Sequence, residues 1–153
     1  MQRTELDAAL DVWRAASLAR GRPGDGPRLA AARSMLEAPT GTTYVAACPQ
    51  VIGITLIKPE RHEKRRVADD LACVQVLMVF VHPSAQRQGV GTSLLQHVFD
   101  VARARCFTGV QVWTGADNPQ AQRLYLRLGM VPTGRRALGT FSEQMQYELA
   151  FSR

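Results

Sequence analysis

The stretch Gln86-Arg87-Gln88-Gly89-Val90-Gly91 places two glycines two residues apart, directly before apolar residues at Leu94, Leu95, Val98, Phe99 and Ala102 that recur with helical period. Glycine lets a backbone come close to a ligand. The first-turn N–H groups of a helix have no intrahelical partner, so they present donors and a positive dipole end to an anion. The chemistry that suits this turn is a diphosphate cradle; for an isolated G-x-G, a purely structural turn is the competing reading. No Gly-Lys-Ser/Thr follows, which excludes the P-loop pattern, and the dinucleotide fingerprint requires three glycines after the first strand of its unit. Further on, Asn118 and Tyr125 stand seven residues apart, two helical turns on and on the same side. Asn118 can cap the helix. A phenol with an unperturbed pKa of about 10 can give a proton to a departing thiolate at neutral pH. Taken alone, Tyr125 reads as a core aromatic beside Leu124 and Leu128.

These groups need elements to hold them. Val74 to Val81 is an apolar run interrupted by Gln75, as in a strand covered on both faces, and Pro83 ends it. Before it, Thr4–Ala19 has Leu6, Leu10, Trp13 and Ser17 down one side of a helix, and GRPGDGP breaks it. Pro27 then opens a second helix lined by Leu29, Ala32 and Leu36, which ends at Ala38-Pro39-Thr40-Gly41. Thr42–Cys48 and Val51–Lys58 read as a hairpin turning at Pro49-Gln50. The segment 59–70, charged with both signs, reads as a solvated loop, with substrate or subunit contact as the other reading. After the central strand and helix come a strand at 109–114, a short helix from Asn118-Pro119 to Gly129, and strands at 130–138 and 143–151. The order mixes hairpins with crossover units, an α/β or α+β sandwich in a single domain over 1–153.

Composition narrows the classes. The chain is 46% hydrophobic and 21% charged, which argues against disorder. No apolar run approaches the roughly 20 residues of a membrane span. MQRTELDAAL has no apolar signal core, so the expectation is a cytoplasmic protein with no membrane association. Cys48, Cys73 and Cys106 are unclustered and set among apolar residues, so they read as buried reduced thiols rather than metal or redox ligands. The net charge of +6 and pI near 9.9 favour anionic partners. The arginines are dispersed rather than striped with aromatics, which argues against nucleic acid and suits a phosphorylated small molecule.

Gln86-x-x-Gly89-x-Gly91, followed about thirty residues later by Asn118-x-x-Ala121-x-x-Leu124-Tyr125-x-x-Leu128-Gly129-Met130, resembles the paired signature of the GNAT superfamily, the acyl-CoA-dependent N-acetyltransferases. Met130 stands where phenylalanine is usual. The resemblance is close from Leu77 to Val131. It implies a mixed, mostly antiparallel sheet with splayed parallel strands, flanked by about four helices. It further implies that Val79, Phe80 and Val81 pair through their backbones with the pantetheine arm of acetyl-CoA. Amides of Arg87, Gln88, Gly89, Val90, Gly91 and Thr92 hold its diphosphate, Asn118 helps position it, and Tyr125 protonates the thiolate. A neutral amine attacks the thioester directly, and neither a metal nor a covalent intermediate is needed.

The chain departs from the family pattern in two places. Members usually begin with a strand, for which at most Met1–Arg3 is available here, so the first edge strand is short or missing. A missing edge leaves backbone groups unpaired and favours a homodimer. In the branch that acetylates protein N-termini, a glutamate sits five residues before the motif asparagine; here that position is Trp113, which weakens the ribosomal-protein reading. Trp113 itself reads first as a buried aromatic and second as the lining of an acceptor pocket. Candidates for the general base are Glu60, His62, Asp69, Asp70, His82 and Asp117. The competing functional class is a catalytically idle acyl-CoA-binding module.

Overall fold

The computed structural model describes residues 2–60 and 72–152. Helices α1 (Arg3–Ala19) and α2 (Gly26–Glu37) precede a hairpin of β1 (Thr42–Ala47) and β2 (Val51–Glu60). Then follow β3 (Cys73–Val81), a short 3-10 turn at Pro83–Ala85, α3 (Val90–Ala104), β4 (Gly109–Gly115), α4 (Pro119–Arg127), β5 (Val131–Leu138) and β6 (Glu143–Ala150). The strands form one sheet in the order β1-β2-β3-β4-β6-β5, with β3 and β4 parallel and the β1–β2, β4–β6 and β5–β6 pairs antiparallel. This is the mixed, mostly antiparallel α/β architecture expected. Among the described residues no strand precedes α1, and no helix is long and apolar enough to cross a membrane.

The chain forms two compact units, Met1–Lys58 with Met78–Leu95, and Pro59–Leu77 with Gln96–Arg153. In the first, α1 turns Leu6, Ala9, Leu10, Val12 and Trp13 onto Ala32 and Leu36 of α2, Ile54 and Leu56 of β2, and Met78 of β3. Burial of each large aliphatic here is worth about 1.5–3 kcal/mol. Arg28 lies over the Trp13 ring at 5.4 Å, and burial together with Arg22 and Arg20 lowers its pKa. Gly26 takes the first position of α2 and Pro27 the second, where a missing N–H has no cost.

In the second unit, β4 pairs with β6 along its whole length, from Gly109↔Ala150 to Gly115↔Gln144. β3 pairs with β4 over Val74↔Val110, Gln75↔Gln111 and Val76↔Val112. That parallel ladder covers three residues of a nine-residue strand, in keeping with the expected splay. β5 forms the sheet edge beyond β6, and all eight of its residues are exposed.

Several expectations need correction. β3 is not covered on both faces along its length: Leu77 is 42% exposed, while Val74, Val76 and Met78 are buried. Cys73 is buried, but Cys48 and Cys106 are exposed. Cys48 falls in the β1–β2 turn, and Cys106 adopts φ 61° at the end of α3. There Phe107 N–H donates to Ala102 O and Cys106 N–H to Arg103 O, a left-handed helix cap in which a cysteine fills the usual glycine place. β2 continues through Pro59 and Glu60, so these two are strand, not loop. The remainder of the charged segment, 61–70, lies outside the described residues. Trp113 is 36% exposed rather than buried.

Candidate functional site

The first unit holds the glycine turn. Pro83–Ala85 and Gln86–Gly89 carry the chain from β3 to α3, and the turn is braced by β2 and from within itself. His82 N–H donates to Ile52 O at 2.8 Å, and Gln88 Nε2 donates to Ser84 O at 3.4 Å. Arg87 and Gly89 both adopt positive φ, 62° and 80°. Glycine occupies this region freely, whereas a non-glycine residue there stores about 1–3 kcal/mol of backbone strain, a feature that clusters at ligand sites. Ser93 N–H donates to Gly89 O at 2.9 Å, the first bond of α3. The N–H groups of Val90, Gly91 and Thr92 therefore belong to the first turn and have no carbonyl one turn back. With a 15-residue helix behind them, they present the positive dipole end that an oxyanion requires. Arg87, Gln88 and Gly89 are exposed; Val90, Gly91 and Thr92 are half-buried, as are Val79, Phe80 and Val81 on β3.

What seats this helix is a residue that motif reading missed. A Cβ placed on Gly53 of β2 would lie 2.7 Å from Val90 Cγ1, 3.1 Å from Leu94 Cδ1 and 3.5 Å from Phe80 O. The hydrogen side chain at Gly53 thus lets the first turn of α3 rest directly on the strand. A glycine inside an otherwise apolar strand, Val51-Ile52-Gly53-Ile54, is the signal that could have found it. Gly89 is the converse. A Cβ built there meets nothing within 4 Å, so the space beside the turn is open on the protein side.

The second unit holds Asn118 and Tyr125. Asn118 Oδ1 accepts from Ala121 N–H at 3.3 Å, capping α4, and Asn118 N–H donates to Gly115 O at 3.0 Å. Gln122 Nε2 donates to Gly115 O and Ala116 O at 3.0 and 3.1 Å, which ties α4 to the end of β4. Tyr125 is 5% exposed and packs its ring against Tyr147 of β6, centroids 5.8 Å apart and tilted by 50°. Gly129, at φ 87°, closes the helix, and Met130 N–H donates to Tyr125 O. Asn118 thus acts on Tyr125 through the helix that carries both. The loop residues and the Asn118–Tyr125 pair belong to different units.

The base candidates separate by their partners. His82 Nδ1 accepts from Ser84 N–H at 3.2 Å and lies 2.8 Å from Ser84 Oγ, so this ring nitrogen is engaged by the turn itself. Asp117 accepts from Ser142 Oγ at 2.8 Å and fastens the β5–β6 loop, a structural use of the carboxylate. Glu60 accepts from Gln75 Nε2 across to β3. His62, Asp69 and Asp70 lie outside the described residues.

Comparison with known proteins agrees with this geometry. The model of the acetyltransferase (GNAT) family matches residues 9–130. A mycothiol acetyltransferase of Sanguibacter keddieii is 37% identical over 83 residues, 48% of this chain and 26% of that protein. The chain spans about a quarter of the length of the curated relatives it matches. Among solved structures, the ribosomal-protein-S18-alanine N-acetyltransferase of Escherichia coli superposes with a TM-score of 0.72 at 21% identity, covering 100% of this chain and 92% of that one. Arabidopsis thaliana NAA60 in complex with acetyl-CoA gives 0.69 at 15% identity, covering 92% and 93%.

Proposed function

Because the chain belongs to the GNAT acetyltransferase family, we propose that it transfers the acetyl group of acetyl-CoA to a primary amine of a small molecule or peptide. The observation that carries this reading is the α3 turn: two positive-φ residues, a first turn of amides without helical acceptors, and open space at Gly89. In this reading the amides of Arg87 through Thr92 bind the diphosphate, and the backbone of Val79, Phe80 and Val81 pairs with the pantetheine arm as an added strand. Acetyl-CoA is the co-substrate. Support for it comes from the family match and from the acetyl-CoA complex among the structural neighbours.

The reaction follows from the groups in hand. The lone pair of the neutral amine attacks the thioester carbonyl carbon, and charge gathers on the carbonyl oxygen, where a β3 N–H stabilises it. Collapse breaks the carbon–sulfur bond. The departing thiolate takes a proton from the Tyr125 hydroxyl, and the new amide sheds its extra proton to water. A properly placed general acid contributes about 10²–10⁴-fold to such a step.

The test is release of free thiol from acetyl-CoA against a panel of amines, amino sugars and peptides, with a calorimetric acetyl-CoA titration beside it. Thiol release that depends on acceptor supports the enzyme. Tight acetyl-CoA binding with no turnover on any acceptor favours the idle binding module, and absence of binding removes the assignment of the turn.

A further inference from the structure

In the sheet order β1 and β5 are the outermost strands, and they are built differently. β5 carries Pro132, Gly134 at φ 82° and the cations Arg135 and Arg136, and its register with β6 jumps between Pro132 and Arg136. Proline, charge and bulges are the devices that keep an exposed edge from pairing with another strand. β1, Thr42-Thr43-Tyr44-Val45-Ala46-Ala47, carries no charge and no proline. Its one register shift comes from the β2 side, where Ile52 is the extra residue between the Ala46↔Gly53 and Ala47↔Val51 pairs.

The charge pattern singles out the same strand. Residues 38–57 contain no Asp, Glu, Lys, Arg or His, in a chain with 19 Lys and Arg and 13 Asp and Glu. β2 is buried from Gly53 to Ile57, which accounts for its own lack of charge. Burial does not account for β1, where Thr42, Val45 and Ala47 are exposed, Val45 by 48%. Two copies with a net charge of +6 repel each other, so a surface on which they can meet is one without cations.

The backbone fixes what this edge offers. Ile52 O accepts from His82 N–H at the end of β3, and the trans peptide turns Gly53 N–H the other way, toward β1. Gly53 stands opposite Ala46, so Ala46 and, two and four residues back, Tyr44 and Thr42 bond to β2. Thr43 and Val45 therefore turn their N–H and C=O groups away from β2, and among the described residues no other strand flanks them. An antiparallel copy completes this pattern about a twofold axis at Tyr44. Thr43 exchanges both N–H···O bonds with Val45 of the second copy, and Val45 does the same with that copy's Thr43. Tyr44 faces its own counterpart at a non-hydrogen-bonded position, where side chains approach most closely.

We propose that β1 is the interface for a second copy of this chain, paired antiparallel about Tyr44. The contact is isologous, so it closes at two copies and leaves the guarded β5 edges outermost. A pair of six-residue strands is small against the roughly 800 Å² per partner of a standard interface, so the dimer exchanges with its monomer. The inference is independent of the acetyltransferase reading above.

Sedimentation of the full chain over a concentration series tests it. The weight-average mass rises from 16.8 kDa toward twice that value. Val45→Pro removes an outward N–H and leaves the bonds to β2 whole, so the melting temperature holds while association weakens about tenfold or more. Val45→Lys sets a cation on the edge and weakens association as much with the backbone unaltered. The register is read with single cysteines in a Cys48→Ser, Cys106→Ser background, which lacks the two exposed thiols. Tyr44→Cys meets its counterpart at a Cα separation of about 4.5 Å, within disulfide range, and oxidises to a covalent dimer. Thr43→Cys lies about 7–8 Å from its counterpart on the diagonal and is not cross-linked. A constant mass at every concentration, undiminished association in Val45→Lys, or cross-linking of Thr43→Cys as readily as Tyr44→Cys would overturn the inference. The first of these would leave the edge to a strand of different sequence.

Discussion

Replacing Gly53 by alanine isolates the seating of the cofactor turn from the turn itself. The added methyl carbon would lie 2.7 Å from Val90 Cγ1, whereas carbon atoms in good contact sit about 3.5–4.0 Å apart. About 1 Å must therefore be found. Valine in a helix has one strongly preferred rotamer, so the Val90 methyl cannot simply swing aside, and the first turn of α3 moves instead. Overpacking of this kind costs about 1–3 kcal/mol in stability. The same movement misaligns the Val90, Gly91 and Thr92 amides relative to the diphosphate. A hydrogen bond to a charged group contributes about 1.5–3 kcal/mol, so losing one weakens acetyl-CoA binding roughly tenfold to a hundredfold. Isothermal titration calorimetry of Gly53→Ala with acetyl-CoA reads the affinity, and a thermal melt reads the stability. Adding Val90→Ala removes the offending methyl and should recover most of both losses, a strongly non-additive pair. Wild-type affinity in Gly53→Ala, or a double variant no better than the single one, would refute the seating of the turn by Gly53.

Three further outcomes follow from the same structure. A Cβ at Gly89 meets no protein atom within 4 Å, but Gly89→Val must hold φ 80° with a β-branched side chain, so stability should fall by about 1–2 kcal/mol while acetyl-CoA binding is lost, because the valine fills the open approach to the amides; retained binding in calorimetry would remove the diphosphate from this turn. Tyr125→Phe keeps the ring packed on Tyr147, so acetyl-CoA affinity should hold while kcat drops about 10²-fold, and unchanged turnover would take Tyr125 out of the chemistry. Asn118→Ala loses the α4 cap, which lowers stability by about 0.5–2 kcal/mol; a melting temperature equal to the wild type would show that the cap is not the role of this residue.

The parts of the site that were legible in the sequence are those whose geometry is local. Gly89 and Gly91 lie within one turn of the helix they open, and Asn118 and Tyr125 sit on one helix, so spacing along the chain already fixes their relation. Helical period likewise located Leu94, Leu95, Val98, Phe99 and Ala102, all buried on α3. The strain at Arg87 was not legible, because nothing in an arginine signals a positive φ. Charged residues gave the least. Whether Asp117 or His82 is available for proton transfer depends on Ser142, which is remote in sequence, and on Ser84, whose backbone orientation is invisible in the sequence.

Gln75 and Gln111, side by side on β3 and β4, show where local reading ends. Val74-Gln75-Val76 and Val110-Gln111-Val112 are the same tripeptide, and each alone reads as an apolar strand with one polar interruption. A strand alternates its faces, so a glutamine between two valines already says that one face is polar, and treating the run as covered on both faces discarded that signal. What the sequence does not contain is the register that sets one tripeptide beside the other. With register shifted by one residue, each glutamine would lie against the buried face with its amide unpaired, at a cost of about 1–3 kcal/mol per group. The valines thus hold the register through burial, and the register in turn aligns the amides between Glu60 and Glu148. The same apolar contacts that build the sheet therefore set the polar face.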